Sequence, residues 1–229
     1  ALSGVVKSGD VLFGTTRYGG AHSQGTLYSV NTDGTNFNTV YDFDLGTSNG
    51  AQPFSTVVLD GDTIYGATHD GGLHQAGTIY TIQTDGTNFS ILHDFELSPE
   101  NGAYSIGNLI LVNDVIYGTT SRGGDYDSGT FFSVNTDGSS FTLMHEFVGG
   151  ISDGLYPKAI SLDNGFFYGV TSRGGDDDAG VVYKINADGS SYTVLHEFDI
   201  AEGETPYGTP NIIGSTLYGT TYTGGVHDK

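Results

Sequence analysis

The stretch Ile116–Phe147, IYGTTSRGGDYDSGTFFSVNTDGSSFTLMHEF, carries two glycine-rich breaks between three apolar runs. Its landmarks recur along the chain. An aromatic-Gly pair stands at Phe13-Gly14, Tyr65-Gly66, Tyr117-Gly118, Tyr168-Gly169 and Tyr218-Gly219, at intervals of 52, 52, 51 and 50 residues. Each is followed by Gly-Gly, at Gly19, Gly71, Gly123, Gly174 and Gly224. Asp-Gly comes next at Asp33, Asp85, Asp137 and Asp188, and YDF, HDF, HEF and HEF close the units at Phe43, Phe95, Phe147 and Phe198. Markers in constant order at a constant period define a repeat architecture. The units run over about 3–54, 55–106, 107–158 and 159–209, with a partial fifth over 210–229.

Each complete unit holds four short apolar runs bounded by turn residues, which reads as four strands, A to D. In the second unit they are STVVLDGD, TIYGATH, GTIYTIQ and FSILHDF. Gly-Gly marks the B–C turn and Asp-Gly the C–D turn, where a positive φ costs glycine little. Strand C alternates with period two: Tyr28, Tyr80, Phe132 and Tyr183 align on one face, and Leu27, Ile79, Phe131 and Val182 on the other. Both faces are therefore expected to be buried. A four-stranded antiparallel sheet of about 50 residues, apolar on both sides, suits a blade stacked between two neighbours. The expected fold is an all-β propeller with four complete blades and an incomplete fifth, forming one domain over 1–229. The fifth unit supplies strands A and B only, so its open strand edge suggests a homo-oligomer or polymer joined through the unpaired half-blade. Continuation of the repeats and economical closure of a five-bladed ring are the other two readings.

The 229 residues carry 27 acidic and 7 Lys or Arg side chains, a formal charge of −20. That balance argues against nucleic acid and anionic membrane surfaces, which need clustered cations. It leaves divalent cations, basic partners and neutral polymers such as glycans. Cysteine is absent, which excludes a disulfide framework and thiolate chemistry. No apolar run reaches the ~20 residues of a membrane span, so membrane insertion is not expected. The opening ALSGVVKSGD lacks the regions of a signal peptide, so any such segment is expected to have been removed.

The pattern LYGTT, then GG, GTLYSVNTDGTNF and HDF, resembles the GloVer-type tandem repeat of secreted bacterial choice-of-anchor proteins. The resemblance covers essentially the whole chain. It implies a propeller-like protein, exported and displayed at or released from the bacterial cell surface, and it brings no catalytic residues.

Chemistry is expected on the face around the propeller axis where the D–A loops and the B–C loops emerge. Their second positions after Gly-Gly give a candidate ligand-binding ring of His22, His74, Tyr126, Asp177 and His227. Asp125 and Asp127 in GGDYDSG, with Asp176, Asp177 and Asp178 in GGDDDAG, offer hard oxygen ligands for calcium, although neither loop matches a known calcium consensus. The candidate metal ligands are Asp125, Asp127, Asp176 and Asp178. His93, His145 and His196 recur in every unit but the first, where Tyr41 stands, which points to packing. Asp42, Asp94, Glu146 and Glu197 recur beside them and are expected to bond backbone. Arg17, Arg122 and Arg173 precede Gly-Gly, with His69 in the second unit, and either neutralise nearby Asp or touch an acidic ligand. Tyr18, Tyr126, Tyr207 and Tyr222 can stack on sugars in place of the absent tryptophan. No nucleophile elbow, zinc-protease pair or phosphate loop is present. The expected function is non-catalytic binding or assembly at the cell surface, recognising a glycan or surface protein or joining protomers. The alternative is a polysaccharide lyase or glycosidase.

Overall fold

The computed structural model describes residues 4–225, and its regular structure is entirely strand. In the first unit Val6–Ser8, Val11–Thr16, Thr26–Asn31 and Asn38–Asp42 pair antiparallel in chain order. In the second, strand A is split: Gly50–Pro53 and Val58–Asp60 both pair with the long strand B, Thr63–Gly71, followed by Thr78–Gln83 and Ser90–Asp94. The third repeats this with Gly102–Ser105 and Ile110–Val112 on Val115–Gly123, then Thr130–Asn135 and Thr142–Glu146. The fourth runs Gly154–Asp163, Phe166–Gly174, Val181–Asn186 and Thr193–Glu197. In the fifth, Glu204–Pro206 pairs with Thr221–Thr223 and Asn211–Ile213 with Thr216–Tyr218.

The sheets of the second, third and fourth units therefore begin at Gly50, Gly102 and Gly154, a few residues before the expected unit boundaries. The cause is local. Gln52, Tyr104, Tyr156 and Thr205 have φ of 54°, 60°, 57° and 56°, a left-handed bend inside strand A. The bend turns each amide onto a B–C loop carbonyl of the preceding unit: Gln24, Ala76, Ser128 and Ala179, at 2.7–2.8 Å. Each unit is thus clipped to the one before it.

The four complete units stack face to face, with one apolar cluster at each of their junctions. Phe13, Leu27 and Phe43 of the first unit meet Ile64, Tyr80 and Ile82 of the second. Ile79 and Phe95 meet Ile116, Phe132 and Val134, and Phe131 and Phe147 meet Phe167, Tyr183 and Ile185. The closing Phe of one unit lies edge-on to the strand C aromatic of the next: Phe43 to Tyr80, Phe95 to Phe132 and Phe147 to Tyr183, at 5.2, 5.3 and 5.2 Å between centroids. Both faces of strand C are consequently buried in the middle of the stack. In the first and fourth units they are not: Tyr28 and Val182 are partly exposed. This is a β-propeller arrangement, all-β as expected.

The repeated polar residues hold the frame. His93 stacks on Phe141 of the next unit at 3.6 Å and His145 on Tyr192 at 4.3 Å; in the first unit Tyr41 takes that place on Phe89 at 4.3 Å. His93 Nε2 also bonds Asn101 Oδ1 at 3.0 Å, and its burial holds the imidazole below its usual pKa. Asp42, Asp94, Glu146 and Glu197 accept the amides of Ala21, Leu73, Asp125 and Asp176 at 2.8–3.0 Å, tying strand D to the B–C loop. At the C–D turns Asp33, Asp85, Asp137 and Asp188 accept both the amide and the hydroxyl of the residue two positions on, which lowers each carboxyl pKa.

Candidate functional site

Gly50 pairs with Gly71, Gly102 with Gly123 and Gly154 with Gly174, so the starts of strand A and the B–C loops share one end of the propeller. At that end the A strands of successive units converge on the axis. Gly4, Phe54, Ile106, Ala159 and Tyr207, one from each unit, line an axial opening of about 140 Å³.

Around it runs a belt of rings and cations. The Arg17 guanidinium sits 4.9 Å over Phe54 and 5.0 Å over Tyr18, and its Nε donates to Gln52 Oε1 at 3.0 Å. Phe54 lies 6.4 Å from His69, which stacks on Tyr104 at 5.0 Å. Arg122 stands 5.7 Å from the Tyr156 ring and donates to its hydroxyl at 3.4 Å. Lys158 places its ammonium 5.2 Å over the ring of Tyr207. Burial raises the pKa of Tyr207 and the charge of Arg17 opposes the shift, so the fifth unit lies within electrostatic reach of the first. Contacts of this kind are worth about 0.5–2 kcal/mol each, more as water is excluded.

The cations differ in how they are neutralised. Arg122 Nη2 meets Asp127 Oδ2 and Arg173 Nη1 meets Asp178 Oδ2, each at 2.8 Å. Arg17 and Lys158 have no carboxylate within ion-pair distance among the described residues. Lys158 is held at a pKa of about 8, and burial is the cause. In a chain of net charge −20, two cations at one mouth lack an acid partner among the described residues.

The expected ring residues lie elsewhere on this face. His22, His74, Tyr126 and Asp177 are exposed at the tips of four B–C loops, and no hydrogen bond or ring contact joins one to another. His74 Nδ1 reaches Glu96 Oε1 only at 4.0 Å. His227 lies outside the described residues. Of the proposed calcium ligands, Asp127 and Asp178 are each engaged twice. They accept the Gly123 and Gly174 amides at 3.0 and 2.9 Å and hold the two arginines. Asp125 and Asp176 donate their amides to Glu146 and Glu197. Among the described residues no three His, Asp or Glu are grouped as a metal site. Of the tyrosines proposed as stacking platforms, Tyr18 and Tyr207 belong to the belt. Tyr222, on the half-blade, is 78% exposed.

Arg17, His69 and Arg122 are singled out in the sequence by their place before Gly-Gly, but Gln52, Phe54, Tyr104, Tyr156 and Lys158 escaped sequence reasoning. They occupy the third and fifth positions of a short frame, GAQPF, GAYSI, GLYPK and GETPY, starting at Gly50, Gly102, Gly154 and Gly203. Gln52, Tyr104, Tyr156 and Thr205 fill the third position; Phe54, Ile106, Lys158 and Tyr207 fill the fifth. Variable large side chains in a fixed frame were the available signal.

A family model described as the Gloeobacter/Verrucomicrobia repeat matches residues 1–164. The chain belongs to that repeat family. No curated protein matches the sequence. Among solved structures, a chain from the crystal structure of a nidogen/laminin complex is similar at a TM-score of 0.62 and 20% identity, with 93% of this chain and 68% of that one covered. The putative TolB of Agrobacterium tumefaciens is similar at 0.54 and 15% identity, covering 82% of this chain and 61% of that one. At these identities the likeness is one of fold, and it agrees with the stacked sheets of this repeat protein.

Proposed function

We infer that this repeat protein is a non-catalytic binding module, exported to the bacterial surface or beyond, that takes an acidic glycan at the axial mouth. The observation that carries the reading is that Arg17 and Lys158, set among Phe54, Tyr18 and Tyr207, have no carboxylate within ion-pair distance among the described residues. Aromatic faces suit the apolar faces of sugar rings, and the two free cations suit a uronate or sulfate. The family's resemblance to secreted repeat proteins supports the location.

The test is titration of immobilised protein with polygalacturonate and, separately, neutral dextran. Preferential, salt-sensitive binding of the acidic polymer is expected, falling at least about tenfold in the Arg17→Ala/Lys158→Met double variant. Equal binding of both polymers, or an unaffected double variant, overturns the reading. No reducing ends are expected to form. Turnover that disappears on changing His74 or Asp177 would establish the enzyme alternative instead.

Calcium at the B–C loops would compete with Arg122 and Arg173 for Asp127 and Asp178. Melting with and without millimolar calcium is expected to give the same Tm. A rise of several degrees would establish an ion there.

A further inference from the structure

The axial opening is small, and its wall is assembled from all five units. Among the described residues it encloses about 140 Å³. Sites that enclose a drug-sized ligand run from roughly 300 Å³ upward, so this one suits a single sugar ring. The wall mixes the ring faces of Phe54 and Tyr207 with polar side chains, Thr56 and Asn108 among them. Both polar groups are fixed by bonds between units. Asn108 Oδ1 accepts the Ile160 amide at 3.0 Å and its Nδ2 donates to Ile160 O at 2.9 Å, tying the third unit to the fourth. Thr56 Oγ1 accepts the Gly4 amide at 2.9 Å, tying the second unit to the first. The wall is therefore pre-formed, and a ligand enters it along the axis.

Charge is arranged around the opening in two zones. Strand A is innermost in each complete sheet and strands B, C and D follow outward, so the B–C loops and the D–A segments stand outside the mouth. The inner zone holds Arg17 and Lys158, both half-buried. The outer zone holds Glu96, Asp125, Asp176 and Asp177, all exposed, and among the described residues no Lys or Arg pairs with them. A polyanion laid across this face passes over those carboxylates. Like charges closer than a Debye length, about 8 Å at physiological salt, repel with little screening. That repulsion opposes the attraction at the centre. A chain that enters by its end meets the inner zone alone. An internal residue has a second obstacle, because it carries a link on each side and both links must leave through one narrow mouth.

We propose that the mouth takes its acidic glycan end-on, receiving one terminal uronate residue while the rest of the chain projects away from the face. This rests on the acidic-glycan reading and adds to it which part of the polymer is bound. The terminal ring packs against Phe54 and Tyr207, and its carboxylate is held by the recessed Arg17 and Lys158, which lie over those same two rings. The exposed acids take no part in the contact. They act as a selectivity filter, raising the cost of side-on docking by the interior of a polyuronate.

The probes are trigalacturonate and polygalacturonate, which share one repeating residue and differ in the ratio of ends to interior. Each is titrated against the full chain. Expressed per mole of chains, the two dissociation constants are expected to agree within about threefold, and both should rise at least about tenfold in the Arg17→Ala/Lys158→Met double variant. A second variant, Glu96→Gln/Asp125→Asn/Asp176→Asn, removes outer charges whose side chains make no hydrogen bond among the described residues. It should bind polygalacturonate at least about fivefold more tightly while trigalacturonate stays within about twofold. Polymer affinity per chain that grows in proportion to length in the parent protein, and is still lost in the double variant, overturns end-on binding and leaves the acidic-glycan reading standing. Equal effects of the outer-charge variant on both probes overturn the filter and with it the proposal. An unaffected double variant overturns the acidic-glycan reading itself.

Discussion

Phe95→Ala is expected to cost about 3–5 kcal/mol of folding stability, the loss usual for a fully buried phenylalanine. Phe95 is fully buried and its ring meets Phe132 of the next unit at 5.3 Å and His93 at 5.1 Å. Its amide donates to Gly77 O at 3.0 Å, so the backbone cannot readily collapse into the space left by the ring. Truncation removes the transfer energy of the aromatic and leaves a cavity at the junction of two units. Phe198 supplies an internal control: it holds the same place in the repeat but faces a cleft instead of a following strand C. Phe198→Ala is expected to cost about 1–2 kcal/mol, in proportion to the smaller area it keeps from water. Equilibrium unfolding in urea measures both. Equal losses at the two positions would mean that contact with the following unit does not stabilise the stack. A two-state fit requires coincident transitions by fluorescence and circular dichroism, since repeat arrays can lose cooperativity.

Lys158→Met is expected to act in the opposite sense and stabilise the protein by about 2–3 kcal/mol at neutral pH. Burial brings the ammonium from an ordinary pKa of 10.5 to about 8, and no carboxylate offsets that cost. Because the folded pKa lies below the unfolded one, the unfolded chain holds the proton more tightly. The penalty is complete below pH 8, shrinks as pH rises and is gone above about 10.5. The advantage of Lys158→Met should therefore be greatest from pH 6 to 7.5 and fade towards pH 10.5, as read from Tm across that range. An advantage independent of pH would assign the effect to packing rather than to charge. A lysine that costs stability at the axial mouth is the pattern expected of a residue kept for binding.

The family resemblance and the sheets could be read from the chain because each depends on local spacing. Glycine pairs and Asp-Gly mark turns through their own φ preference, and period-two alternation on strand C identifies both faces. The repeated Asp42, Asp94, Glu146 and Glu197 could be assigned to backbone bonds for the same reason, since a role repeated in each unit is structural. The start of strand A was less accessible. Gln52 and Tyr104 adopt left-handed φ without being glycine, held there by bonds to the preceding unit's B–C loop. Nothing in their own identity announces that conformation.

What the sequence alone determined is the unit: its four strands, its turns and the two apolar faces that require neighbours. Only the tertiary structure decided which side chains meet between units. Arg17 stands 35 positions from Gln52, yet they bond. Lys158 and Tyr207 are still more remote in the chain, yet the ammonium covers the ring. Such meetings depend on how successive sheets rotate about the axis, and that rotation is set by summed packing across whole faces. Exposed polar tips such as His22 and Asp177 have no comparable packing to draw them together, and among the described residues no hydrogen bond or ring contact joins these equivalent positions of the repeat.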